Sequence, residues 1–384
     1  MERTDVVVIG GGIIGCAVAA ILATRGARVI LVEATEIGAG ASGRNLGAIQ
    51  HPFDPVLAPL HRESLERYHA LAAASDGAFA IGTEPAGLLL VTGDADAAAR
   101  QVRRMAAAVP ELAPELVTPE AMTLIEPSLA PGLSAVRLAT GHPIPPVAAT
   151  EAWATLAHER GARLQVGVGT ARPVVEHGRA IGVRFDDGTR IGADRVVVAA
   201  GPWSPALVDP AGLWRPIVAT WGVTLQLRLG GAAPRHIVEE DEVDAVNRAA
   251  AATSRAAHHA EEEPPSLFSV ASAGGVSTLG STFLPVEPDP ARIEPLLLRR
   301  AAAFLPAVAE AEVVGRRVCA RPQSVDGRPF IGELPGIEGL HVCAGHGPWG
   351  ISTGPASAAI VARAILDGTV PPPELAAARV IAPG

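Results

Sequence analysis

The stretch DVVVIGGGIIGCAVAAILATRGARVILVE, residues Asp5 to Glu33, decides the fold. Asp5 to Ile9 is a run rich in β-branched residues, suited to a strand buried on both faces. Gly10, Gly12 and Gly15 follow at G-x-G-x-x-G spacing. Lacking side chains, they permit a tight turn, close approach of backbone to a pyrophosphate, and close helix–strand packing. Ile13 to Thr24 reads as a helix apolar all round, hence one enclosed within a domain. Its N-terminus presents N–H groups and a positive dipole end to phosphate. Gly26 stops the helix, Arg28 to Val32 forms a second strand, and Glu33 closes it with an acid placed to bind a ribose 2′-OH. The other readings of this uncharged run are a membrane span or a signal peptide. Consecutive glycines interrupt it, and Glu2 and Asp5 spoil a basic leader, so a dinucleotide site is the expectation.

With 384 residues the chain is long enough for two cores. Charged residues make up 18% and hydrophobic ones 48%, the composition of a globular protein. A net charge of −9 argues against nucleic acid as a partner. All 31 basic residues are arginine, which removes lysine and Schiff-base chemistry. Cys16, Cys319 and Cys343 are too few and scattered for a disulfide framework or a zinc site. No export signal is legible, and the cytoplasm is the expected location, with no membrane span. A homo-oligomer stays open.

Beyond Glu33, Gly38 to Pro55 reads as a long Gly-rich loop running back over the cofactor. Within it Arg44 is either an anion ligand or a surface arginine, and His51 either faces the reactive ring or is a turn residue before Pro52. Helices are expected over Leu57–Ala74, Ala95–Val109, Thr118–Ile125, Pro146–Arg160 and Pro290–Phe304. Strands are expected at Ala86–Val91, Arg163–Val168, Val174–Phe185, Thr189–Ile191 and Arg195–Ala200. Glu126 to Pro146 reads as a Pro- and Gly-rich crossing between domains. Ile217–Leu229 and Ser277–Phe283 read as strands of a separate antiparallel sheet. Glu239 to Pro265 reads as a charge-rich surface excursion rather than a metal site, despite His258 and His259. Near the end, Leu340–Cys343 is a strand, Gly345 to Gly354 a Gly-rich turn, and about Pro355 to Leu366 a helix. A glycine-rich turn feeding a helix is a second anion-stabilising arrangement.

Five motifs in order, DVVVIGGGIIG with Glu33, GASGRNLGA, DRVVVAAGPWS, RPQSVDGRPFIG and GHGPWGISTGPA, together resemble the D-amino-acid-oxidase-like flavoenzymes. These include glycine oxidase, monomeric sarcosine oxidase and related amino-acid dehydrogenases. The resemblance spans nearly the whole chain. It implies an α/β FAD-binding Rossmann-like domain of glutathione-reductase type, with an interleaved α+β substrate domain built on an antiparallel sheet. The FAD domain would comprise 1–80, 145–210 and 315–384; the substrate domain would comprise 81–144 and 211–314.

The resemblance implies FAD as cofactor. Gly10, Gly12, Ile13, Ile14 and Gly15 would meet the pyrophosphate, and Glu33 and Ala34 the ribose. Ala41, Ser42, Leu46, Gly47 and Ala48 would line the pyrophosphate and flavin edge, and the Thr170 backbone the adenine. Gly201 and Trp203 end a strand where backbone can approach the cofactor. His346, Gly347, Pro348, Trp349, Gly350 and Ile351 would surround the flavin's pyrimidine side. Arg321 matches the arginine that grips the substrate carboxylate in glycine oxidase, the alternative being a buried ion pair. Trp221 and Trp349 are either pocket walls or core packing. Cys319 stands at the spacing of the cysteine that carries flavin covalently in sarcosine oxidase, the alternative being a small buried hydrophobe.

Two departures mark this chain. Pro348 occupies the turn where glycine oxidase has a second arginine, and the lysine that promotes reaction with oxygen in sarcosine oxidase has no counterpart. The reaction implied is oxidation of the C–N bond of an amine or amino acid by hydride transfer to the flavin, with oxygen reduced to peroxide. A dehydrogenase passing electrons to a quinone or carrier is the first alternative, and a flavin-binding subunit of a complex the second. No residue is assigned a catalytic role beyond the flavin.

Overall fold

The computed structural model describes residues 2–241 and 264–379. Strand β1 (Glu2–Ile9) enters α1 (Ile13–Thr24), and the chain returns to β2 (Val29–Glu33). Val6 stands opposite Val29 and Ile9 opposite Val32 in parallel pairing, so the predicted βαβ unit forms. The next elements are α2 (Ala41–Arg44), β3 (Ala48–Ile49), α3 (Ala58–Ala74), β4 (Leu88–Thr92), α4 (Ala95–Ala108), β5 (Glu115–Val117) and α5 (Pro119–Ile125). They are followed by β6 (Ser134–Leu138), β7 (His142–Pro143), α6 (Pro146–Glu159), β8 (Arg163–Val166), β9 (Ala171–Glu176), β10 (Arg179–Phe185) and β11 (Arg190–Val198). Then come α7 (Ser204–Val208), β12 (Ile217–Arg228), β13 (Ile237–Glu240), β14 (Ser266–Ala273) and β15 (Val276–Thr282). The described chain ends with α8 (Pro290–Ala302), β16 (Glu312–Ser324), β17 (Phe330–Glu333), β18 (Leu340–Ala344) and α9 (Gly350–Asp367).

The first sheet runs β17-β18-β11-β1-β2-β8, with β10 and then β9 added beside β11. Its centre is parallel. Val6 and Val8 of β1 pack into the helical layer with Cys16, Tyr68, Trp153 and Ala358. Val7 and Ile9 pack into a separate core with Phe185, Val196 and Phe330. Burial on both faces explains the unbroken apolar run, each valine contributing about 1.5–3 kcal/mol when fully buried. The second sheet runs β16-β12-β15-β14-β13-β4-β6-β5 and is antiparallel except between β13 and β4. β16 crosses position 315, where the sequence reading divides the domains, and pairs with β12 along the second sheet from Glu312 to Ser324.

Five expectations change. Thr189–Ile191 and Arg195–Ala200 are one strand, β11, because Gly192 and Ala193 continue the ladder. The crossing from Glu126 to Pro146 contains β6, paired with both β4 and β5; its Pro and Gly residues punctuate a strand instead of replacing one. The Gly38–Pro55 loop contains α2 and β3. Helix α9 begins at Gly350, ahead of Pro355. Proline has no N–H for the Ile351 carbonyl, and the Tyr68 hydroxyl donates to it at 2.8 Å instead. Finally, Glu239 and Glu240 belong to β13, not to a surface excursion. The histidines and acids from His258 to Glu263 lie outside the described residues.

Candidate active site

Both sheets border one cavity of about 730 Å³. At one end the C-terminal end of β1 turns at Gly10, whose φ is +114°. A Cβ on Gly10 would meet the Ala199 carbonyl oxygen at 2.5 Å, and one on Gly15 the Gly10 carbonyl oxygen at 1.9 Å. These contacts, rather than flexibility, require glycine here. Glu33 is fixed at the tip of β2: one carboxylate oxygen accepts from Gly11 N at 2.6 Å, the other from Thr35 N at 2.9 Å. Ser42 Oγ accepts from Ile13 N at 2.9 Å, tying α2 to the start of α1. Asn45 holds α2 in shape by donating to the Ala41 and Ser42 carbonyls and accepting from Gly47 N.

At the other end the first sheet's last parallel strand, β18, delivers His346 and the turn Gly347–Trp349, and α9 starts at Gly350. The helix leans on α1 so closely that a Cβ on Gly354 would meet Ile14 Cγ1 at 2.9 Å. Two helix N-termini therefore converge on one cavity, an arrangement that favours anions. His346 is fully buried, its Nε2 bonded to Ser357 Oγ at 3.0 Å, and burial pushes its pKa down to about 3. It stays neutral.

The remaining wall is the face of the second sheet. A cross-strand row runs from Glu239 to Ser269, Gly280, Thr224 and Arg317. Further along β16, Cys319 and Arg321 line the cavity. Arg321 donates to the Thr282 carbonyl at 2.9 Å and to Ser281 Oγ, and its guanidinium lies 4.9 Å from the Phe283 ring centroid. Its partners are neutral: no carboxylate among the described residues pairs with it, so the buried-ion-pair reading is replaced by a cation facing the cavity. Burial lowers its pKa, and an arginine so placed remains charged. Burial raises the Cys319 thiol, against the pull of Arg321, Arg44 and Arg317.

Most sequence-selected residues meet at this cavity. Gly10, Gly12, Ile13 and Ile14 line it, as do Glu33, Ala34, Ala41, Ser42, Leu46 and Ala48. So do Thr170, Gly201, Trp203, Cys319, Arg321 and every residue from His346 to Ile351. Three stand off its walls. Gly15 packs against Gly10, and Gly47, with φ +82°, packs against the Ile144 carbonyl. Trp221 lies in β12, its backbone bonded to Leu284 at 2.7 and 2.9 Å, and is not a pocket wall. His51 is a turn residue, its Nδ1 accepting from Phe53 N at 3.1 Å. Gln50, Thr224, Glu239, Ser269 and Ser281 also line the cavity. No local motif announces them; only the sheet register brings them in.

The residues fit FAD on structural grounds. The glycines of the first turn leave no room for side chains, Glu33 borders the cavity at the tip of β2, and two helix N-termini face a cavity long enough to join both sheets. The comparisons agree. The chain matches the family described as FAD dependent oxidoreductase over residues 5–364, and it belongs to that family. It is similar to glycine oxidase of Geobacillus kaustophilus, 28% identical with 94% of this chain and 92% of that one covered. It is 32% identical to a D-amino acid dehydrogenase of Cereibacter sphaeroides over 58% of this chain and 46% of the relative. The chain thus spans about half the length of the curated dehydrogenases it matches. Among solved structures, glycine oxidase of Bacillus cereus superposes with a TM-score of 0.80 at 25% identity, covering 95% of this chain and 96% of that one. No helix among the described residues is long and apolar enough to cross a membrane.

Proposed function

We propose that this chain oxidises the C–N bond of a small amino acid. The observation that carries the reading is Arg321: a guanidinium facing the cavity whose partners among the described residues are neutral oxygens. A carboxylate is the planar, anionic group such a fork binds best. Arg44 and Arg317 add positive charge along the same wall. Bound FAD supplies the two-electron acceptor for the hydride lost from the carbon bearing nitrogen. The protein's part is orientation: Arg321 fixes one end of the substrate, and Leu267 and Phe283 help to exclude water. Glycine oxidases as relatives support an amino-acid substrate, and the D-amino acid dehydrogenase supports the same class with a different electron acceptor.

Oxygen and a quinone or carrier protein are the two acceptors in contention. The absence of any lysine among 31 basic residues favours the carrier, since the oxygen-promoting lysine of sarcosine oxidase has no counterpart here. The test is an absorption spectrum of the purified protein, followed anaerobically and then in air as amino acids are added. Bleaching of the flavin bands that recovers quickly in air identifies an oxidase; bleaching without quick recovery identifies a dehydrogenase. No bleaching with any amino acid, or no flavin bands after FAD is added, overturns the reading.

A further inference from the structure

Helix α3 lines no part of the cavity, yet it sends polar side chains to the start of α9, which does. Its buried stripe is Leu60, His61, Ser64, Tyr68 and Leu71, and Ser64 and Tyr68 are both 0% exposed. Standing one turn apart, these two share the face of α3 that meets α9. Tyr68, the only tyrosine in the chain, donates its hydroxyl to the Ile351 carbonyl at 2.8 Å. Ser64 Oγ accepts from Ala356 N at 3.0 Å. A buried stripe gains nothing from hydroxyls unless they have partners to meet.

The two bonds bracket Pro355. Its ring lacks the N–H that would close on Ile351 and crowds that carbonyl, so the preceding turn tends to bend or fray. That turn, Gly350 and Ile351 with His346 to Trp349 ahead of it, lines the cavity. The peptide unit that carries the Ile351 carbonyl also carries the Ser352 N–H. This N–H is among the first four of α9, which have no carbonyl one turn back within the helix. A donor on the carbonyl polarises that N–H and fixes its direction. Tyr68 therefore bears on the positive end of α9 through one peptide group, from outside the cavity.

We propose that Tyr68 and Ser64 are positioning residues for reduction of the flavin. They hold the start of α9 in the direction that stabilises the negative charge the ring gains. A helix N-terminus favours such charge within about its first turn, and most strongly where water is excluded. The inference rests on FAD lying against residues 346–351, as the resemblance implies, and not on the identity of the substrate.

The experiment reduces the FAD-loaded enzyme stepwise, without substrate, beside a reference dye of known potential. Tyr68→Phe keeps the ring and removes the donor, and should move the equilibrium roughly 3- to 10-fold toward oxidised flavin. For a two-electron couple, tenfold is a potential about 30 mV lower. Ser64→Ala should move it in the same direction, and decides the matter if Tyr68→Phe does not hold FAD. Leu71→Ala, in the same stripe but with no polar group to lose, should lower the denaturation midpoint and leave the equilibrium where it was. Pro355→Ala restores an N–H for the Ile351 carbonyl, so in that background Tyr68→Phe should lose most of its effect. An unchanged equilibrium in the FAD-loaded variants overturns the proposal. So does an equal shift in Leu71→Ala, or a full Tyr68→Phe shift that persists beside Pro355→Ala. Because no substrate is present, failure of every amino acid to bleach the flavin would sink the proposed reaction and leave this result standing.

Discussion

The Arg321 guanidinium lies over Gly222, where an added Cβ would stand 2.5 Å from Nη1 and 2.7 Å from Cζ. Gly222 pairs with Cys319 in the neighbouring strand, so the arginine folds back across β12 to reach Ser281 and Thr282 on β15. Gly222→Ala should displace the guanidinium without touching the FAD cradle. We expect carboxylate ligands to bind roughly 10-fold or more weakly while flavin content is unchanged, as two charge-assisted bonds are lost or bent. Titration of the flavin absorbance with isobutyrate measures it, and unchanged binding would show that the guanidinium position does not matter.

Arg321→Ala should raise the KM for an amino-acid substrate by roughly 10- to 100-fold, with a smaller effect on a substrate amine that has no carboxylate. Steady-state kinetics on such a pair separates loss of a carboxylate anchor from general damage to the site.

Gly15→Ala places a methyl group 1.9 Å from the Gly10 carbonyl oxygen. The strand and helix of the first βαβ unit must part to admit it, which costs about 1–3 kcal/mol in overpacking. The expected result is a lowered denaturation midpoint together with loss of flavin from the purified protein.

Cys319 lines the cavity with its thiol raised by burial. Thiolate, not thiol, is the nucleophile, so we expect FAD to be held non-covalently. Acid precipitation should leave a colourless pellet and a yellow supernatant; a yellow pellet would establish a covalent link.

Burial holds His61 and His341 down to about 4 and His346 down to about 3. In the unfolded chain each takes up a proton near the ordinary value of about 6.5. Between these limits the unfolded state binds more protons, so stability rises with pH, is fully present above about 6.5, and is lost as pH falls. Each histidine contributes a slope of up to about 1.4 kcal/mol per pH unit in that window. Neither ring nitrogen of His341 is bonded among the described residues, so His341→Leu should flatten the profile by about one such share. Denaturant midpoints measured from pH 7 down to pH 4.5 test both statements.

What the sequence made legible was local. The first βαβ unit, the helix bounds of α1 and the two glycine turns feeding helices follow from spacing and apolar runs within about thirty residues, and the resemblance implied which residues there face the cavity. Arg321 was legible through its motif. Glu239 was not: its neighbours in sequence are acids, and charge runs are ordinarily solvated faces. What buries it is pairing with β14 and β4, strands far from it in the chain. Trp221 left two readings open for the converse reason. A tryptophan in a strand faces one side or the other by register alone, and Gly222 next to it, not Trp221, lies beneath Arg321. The early start of α9 depended on Tyr68, a hydroxyl donor that no inspection of the GHGPWG turn reveals.

The order of strands in the first sheet sets a timetable for biosynthesis. β1 is bounded by β2 on one side and β11 on the other, and β11 in turn needs β18. The glycine turn after β1 is synthesised well before residues 190–198, which complete that side of its sheet, and the facing turn at 346–351 follows later still. A nascent chain therefore holds half a cradle until residues 346–351 have been made, and capture of the flavin waits on them.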